Sequence, residues 1–145
     1  MAFVFLTGAT GFMGRQLSAE LLRRGHSVRG LVRRGSENRL EPGCEGVTGD
    51  PLDAATYRDQ VAPADTFVQL VGVSHPSPAK AAQFRSIDLV SAKAGIAAAV
   101  AAGVLHFIYV SVAHPAPMMH QYIAVRTEAE DAIHAAGLNA TILRP

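Results

Sequence analysis

The chain has 145 residues, 49% apolar and 17% charged, with a single cysteine and a formal net charge of +1. This length suits one domain with a continuous core, and the composition excludes a disordered chain. Cys44 has no partner for an internal disulfide, glycines break up the apolar start that a signal peptide would need, and no stretch reaches the roughly 20 apolar residues that cross a bilayer, so a cytoplasmic protein with no membrane partner is expected.

The charge is unevenly placed. Residues 1–40 hold seven arginines against two glutamates, and the remainder is net acidic. These arginines are spread over several predicted elements without aromatic interleaving or a single stripe, which argues against nucleic acid as a partner.

Phe3-Val4-Phe5-Leu6 reads as a strand buried on both faces. Gly8, Gly11 and Gly14 follow at intervals of three, and from Phe12 to Leu22 the apolar spacing is helical. Strand, glycine turn and helix make a phosphate-binding geometry. The first N–H groups of a helix lack intrahelical partners and carry the positive end of its dipole, and glycine leaves the approach of a diphosphate unobstructed. A glycine-rich turn that merely packs a helix on a sheet is the plainer alternative.

The first helix, Arg15 to Arg24, is predicted to end at Gly25, and Ser27 to Val32 is a second strand closing on Arg33 and Arg34. A dinucleotide-binding sheet places this position at the adenosine ribose, where an acid bonds the 2′-hydroxyl of NAD and arginine accommodates the 2′-phosphate of NADP. With two arginines and no acid, NADP(H) is preferred and NAD(H) stays open; the pair also reads as a solvated turn. Glu45 to Thr48 is a third strand. Asp50 either bonds the adenine edge or serves turn and helix-start chemistry ahead of residues 53–60.

Thr66 to Val71 is the fourth strand, with Leu70, Val71 and Gly72 at the end that passes closely under a cofactor. A loop containing His75, Pro76 and Pro78 precedes a long helix, Ala81 to Ala102, whose small residues allow close approach to the sheet. They also leave a homodimer open. Gly103 stops the helix, His106 to Ser111 is the fifth strand, a loop with Pro115 and Pro117 follows, and Gln121 to Ala136 is a helix carrying Tyr122 and Arg126 before Gly137. Ala140 to Arg144 starts a sixth strand. Six strands alternating with helices predict one α/β domain spanning residues 1–145, a Rossmann-type doubly wound parallel sheet in the order 3-2-1-4-5-6.

Thr7-Gly8-Ala9-Thr10-Gly11-Phe12-Met13-Gly14, Leu31-Val32-Arg33-Arg34, Gly49-Asp50, Ser111, Tyr122 and the closing Gly137-Leu138-x-x-Thr141-x-Leu143-Arg144-Pro145 together resemble the extended and atypical short-chain dehydrogenases/reductases, in their NAD(P)H-binding, nucleoside-diphosphate-sugar-epimerase-like branch. The resemblance covers the whole chain and extends the cofactor loop to Thr7, Thr10, Phe12 and Met13. It implies a Tyr-x-x-x-Lys pair after the fifth strand and a Ser or Thr at that strand's end. Tyr122 and Ser111 fill two of these roles; Arg126 replaces the lysine. One helix face carries Tyr122 and Arg126, so Arg126 can place positive charge beside the phenol and act as ribose ligand, although its planar fork is not equivalent to an ammonium.

Three functions fit this reading. The first is an NADP(H)-dependent oxidoreductase or epimerase-like enzyme, in which Tyr122 moves the proton on a small carbonyl or alcohol substrate, assisted by Ser111. The second is a non-catalytic NADP(H)-binding sensor or structural module. The third is a fragment of a longer reductase whose C-terminal substrate region is absent. A metal site is not expected. None of His26, His75, His106, His114, His120 and His134 forms the helical pair of a metal motif, and Cys44 has no second thiol nearby. His114 and His120 flank the candidate catalytic loop and could contact a substrate.

Overall fold

Phe3–Thr7 forms β1, the strand on which both layers of the core are built. Alternate side chains point to opposite faces: Phe5 stacks on Tyr57 and tilts against Phe67, at ring-centroid distances of 5.8 and 5.3 Å, while Val4 and Leu6 join Val28, Val68 and Ala9 on the other side. With both faces covered, β1 is a continuous apolar run rather than an alternating one. The structure, a computed structural model, describes residues 1–72, 77–112 and 119–145.

Around β1 stand β2 (Ser27–Val32), β3 (Glu45–Thr48), β4 (Thr66–Gln69), β5 (His106–Val110) and β6 (Ala140–Leu143). They form one fully parallel sheet in the order β3-β2-β1-β4-β5-β6, with Val4 opposite both Val28 and Thr66. This is the doubly wound order expected from the sequence.

The helix α1 (Phe12–Arg23) covers one face through Leu17, Leu21 and Leu22. Its end is a paired carbonyl cap: Gly25, at φ +87°, donates to Leu22 O and His26 donates to Leu21 O, each at 3.0 Å. The other face is covered by α3 (Val90–Ala102) and α4 (His120–Ala135), whose Ala92, Ala98, Ala99, Val125, Ala129 and Ile133 pack on Phe67, Phe107 and Tyr109.

Two predicted helical stretches differ in detail. Residues 53–60 make two 3₁₀ turns, Ala54–Thr56 and Arg58–Gln60, because the Asp53 side chain accepts the Ala55 N–H at 3.1 Å and the core draws in Tyr57, which is 1% exposed. The helix expected over Ala81–Ala102 consists of α2 (Ala81–Gln83), a π turn (Phe84–Leu89) and α3. The fourth strand ends at Gln69, which frees Leu70, Val71 and Gly72 from the ladder. His75, Pro76, His114, Pro115 and Pro117 lie outside the described residues.

Candidate functional site

The carboxyl ends of β1, β2 and β4 open onto a cleft of about 500 Å³, within the usual range for a small-molecule site. Gly8, Thr10 and Gly11 form its base; Leu31 and Arg33 come from the end of β2; Asp50, Pro51 and Leu52 follow β3; and Leu70, Val71 and Gly72 follow β4.

The base is a backbone surface. Gly8 sits at φ +69°, and a Cβ there would stand 3.0 Å from the Leu70 carbonyl carbon, so the turn after β1 can lie against the turn after β4. Gly11 is the N-cap of α1, offers no side-chain cap, and is followed by a first turn without an acid. The positive end of α1 is therefore not neutralised by the helix itself, and the cleft suits an anion such as a diphosphate.

Thr7 does not line the cleft. It is fully buried, donates to Gln69 Oε1 at 2.8 Å and accepts the Leu70 N–H at 3.3 Å, tying the ends of β1 and β4 together. Phe12 and Met13 are 84% and 51% exposed and stand outside the lining. Gly14 is glycine for a different reason from diphosphate approach. A Cβ there would meet the loop's own backbone, 2.1 Å from Gly8 O and 2.8 Å from Ala9 Cα. The pair at the end of β2 divides: Arg33 lines the cleft, whereas Arg34 is exposed and does not. Asp50 lines it while its Oδ1 accepts the Leu52 N–H at 2.9 Å, so it carries out the turn chemistry as well.

Sequence reasoning missed one wall, made of Lys80, Gln83 and Ile87. Their spacing on one helical stretch was the available signal.

The residues proposed for proton transfer are arranged differently from the expectation. Tyr122 and Arg126 do meet, but the guanidinium lies over the ring, 5.0 Å from its centroid, and Phe84 packs edge-on against the same ring at 5.0 Å. Arg126 is buried; it pairs with Asp88 at 2.9 Å and donates to Tyr109 Oη and to Val110 O, each at 3.0 Å. Burial acts against its charge, but Tyr109, Tyr122 and Asp88 outweigh that and hold it firmly cationic. Burial also raises the Tyr109 phenol above its ordinary range, opposed by Arg126. Ser111 is buried, and its hydroxyl donates to Glu130 at 2.5 Å; Glu130 in turn pairs with Arg144. None of Ser111, Tyr122 and Arg126 lines the cleft.

Among the described residues no group of histidine, cysteine and acidic side chains is placed to hold a metal, and no helix is long and apolar enough to cross a membrane.

The NAD(P)H-binding family matches residues 8–145, from the first glycine of the loop to just past the sixth strand. The chain belongs to that family. Within it, this NAD(P)H-binding chain is 34% identical over 145 residues to the ceramide reductase of Caulobacter vibrioides, covering 98% of this chain and 45% of that protein. It is 30% identical over 149 residues to the photosystem II assembly factor Ycf39 of Cyanophora paradoxa, covering 97% and 44%. The chain thus spans under half the length of these curated relatives. In fold it resembles the Bordetella bronchiseptica enzyme WbmH, solved in complex with NAD+, with a TM-score of 0.80 at 23% identity over 99% of this chain and 55% of that one.

Proposed function

We propose that this chain is the NADP(H)-binding half of a reductase-type protein and that the cleft at the ends of β1, β2 and β4 takes the dinucleotide. The observation that carries this is that the α1 N-terminus, whose N-cap Gly11 has no side chain, and Arg33 line the same cleft. The turn of Gly8, Thr10 and Gly11 and the first N–H groups of α1 would hold the diphosphate, Arg33 the 2′-phosphate, and Asp50 the adenine side, with Leu70, Val71 and Gly72 under the remainder. When bound, the cofactor supplies or accepts a hydride. Tyr122 would carry the proton to or from a small carbonyl or alcohol substrate, with Arg126 keeping positive charge against its ring.

The second reading is a module that binds NADP(H) without turnover. It is favoured by the commitments of Arg126 to Asp88, Tyr109 and Val110 and of Ser111 to Glu130, and it fits a relative named as an assembly factor. Titration with NADPH and NADH, followed by cofactor fluorescence, tests the shared claim. Binding of NADPH in preference to NADH supports it, and binding of neither rejects it. Between the readings, Tyr122→Phe decides: abolished carbonyl reduction with unchanged NADPH affinity favours the enzyme, and no turnover in the parent chain favours the module.

A further inference from the structure

The wall of the cleft contains an irregularity that a continuous helix would lack. At Phe84–Leu89 the chain makes a π turn, a feature that inserts a residue and re-aims side chains, often at functional sites. Here Ile87 faces the cleft while Asp88, whose side chain is fully buried, meets Arg126 Nη2 at 2.9 Å. The same guanidinium reaches Tyr109 Oη and Val110 O, so one side chain of α4 joins the π turn to the end of β5. Its Nε has no partner among the described residues.

Gly72 rests on this pair. A Cβ at Gly72 would stand 2.8 Å from Arg126 Nη2 and 3.4 Å from Asp88 Oδ2. Apolar side chains of equal volume would fill this space at least as stably, since the desolvation of two buried charges offsets most of their attraction. What the ion pair adds is direction: a planar fork with three partners can occupy one position only. That position lies directly beneath the backbone of the cleft floor.

We propose that Asp88 and Arg126 form a positioning pair that sets the Leu70–Gly72 floor of the cleft, and with it the affinity for the dinucleotide. The affinity part rests on the cofactor reading above; the positioning part does not. Arg126 acts through Gly72 and is a positioning residue, in the place where the resemblance implies the lysine of a Tyr-x-x-x-Lys pair.

The test uses Asp88→Asn, Arg126→Lys, Gly72→Ala and the double variant Asp88→Asn with Gly72→Ala. Amide exchange at Leu70, whose N–H is held by Thr7 Oγ1, is expected to quicken about tenfold in Asp88→Asn, with exchange in α1 unchanged. Arg126→Lys, which keeps the charge but loses the fork, is expected to show the same local change and carries this arm if Asp88→Asn does not fold. NADPH affinity is expected to fall about tenfold in each single variant and no further in the double, because Gly72→Ala and Asp88→Asn disturb one contact. Losses that add, affinity equal to the parent's in every variant, or exchange that quickens equally in every element would each overturn the proposal. If the parent chain binds neither NADPH nor NADH, the cofactor reading fails, and the Leu70 measurement still decides whether the pair sets the floor.

Discussion

Gly14 lies so close beneath Gly8 that a Cβ on the one would stand 2.1 Å from the carbonyl oxygen of the other. The turn between β1 and α1 closes only without that atom. Gly14→Val is therefore expected to destabilise the fold by about 3 kcal/mol, the upper range for forced overpacking. Urea unfolding by circular dichroism measures this. A variant with parental stability that had lost only cofactor binding would show instead that the valine blocks the ligand.

Arg33 and Arg34 are adjacent in sequence but differ in position, since only Arg33 lines the cleft. Arg33→Ala is expected to weaken NADPH by about tenfold or more, as loss of a charge-assisted hydrogen bond does, with little effect on NADH. Arg34→Ala is expected to change neither. Parallel titrations of the two variants with both cofactors check this, and an equal loss of NADPH and NADH in Arg33→Ala would remove the 2′-phosphate assignment.

Tyr57 is 1% exposed, and its hydroxyl has no hydrogen-bond partner among the described residues. Burial, with the Asp50 and Asp53 carboxylates nearby, holds the phenol protonated well above its ordinary range. The ring stacks on Phe5, so the packing does not need the oxygen. Tyr57→Phe is expected to stabilise the chain by about 1 kcal/mol and to raise the melting temperature by about 3 °C. A melting temperature lowered by that amount would mean that the hydroxyl has a partner in solution.

Asp65 fastens the start of β1. Its Oδ2 accepts the Phe3 N–H at 2.9 Å and its Oδ1 accepts the Thr66 hydroxyl at 2.7 Å, and these bonds hold the carboxyl below its ordinary value. The resulting stabilisation is fully present above the unfolded value of about 3.9 and is lost as pH falls through the lower folded one. Asp65→Asn is expected to unfold with a shallower dependence on pH below about 4, by less than about 1 kcal/mol because water screens the site. Urea midpoints between neutral and acid pH, compared with the parent chain, measure the difference. Identical slopes would sink the assignment.

The strand order was legible because β1, β4 and β5 are short runs rich in apolar residues bounded by glycine or a polar residue, and because the loop from Thr7 to Gly14 identifies the first unit of a doubly wound sheet. What periodicity hides is a helix that changes pitch to satisfy a distant group. Residues 81–102 read as one helix, yet the π turn aims Asp88 at Arg126, a partner 38 positions away. An acid amid Ile87, Leu89 and Val90 was the only local sign of that contact. Ser111 was expected to assist Tyr122; its alternation with Phe107 and Tyr109 carries it under α4, where its hydroxyl donates to Glu130. The identity of each candidate residue could be read from the sequence, but its partner depended on how the elements pack.

The wholly parallel sheet also governs how the chain reaches its fold. No two neighbouring strands can be joined by a hairpin, and β1 at the centre must find Thr66 of β4 across everything between them. Loop closure over such spans comes before any reward from the core, such as the contact of Phe5 with Phe67, so a sheet of this topology is slow to assemble for its size. Until β4 arrives, β1 presents a bare apolar edge, and the nascent chain is then most exposed to aggregation.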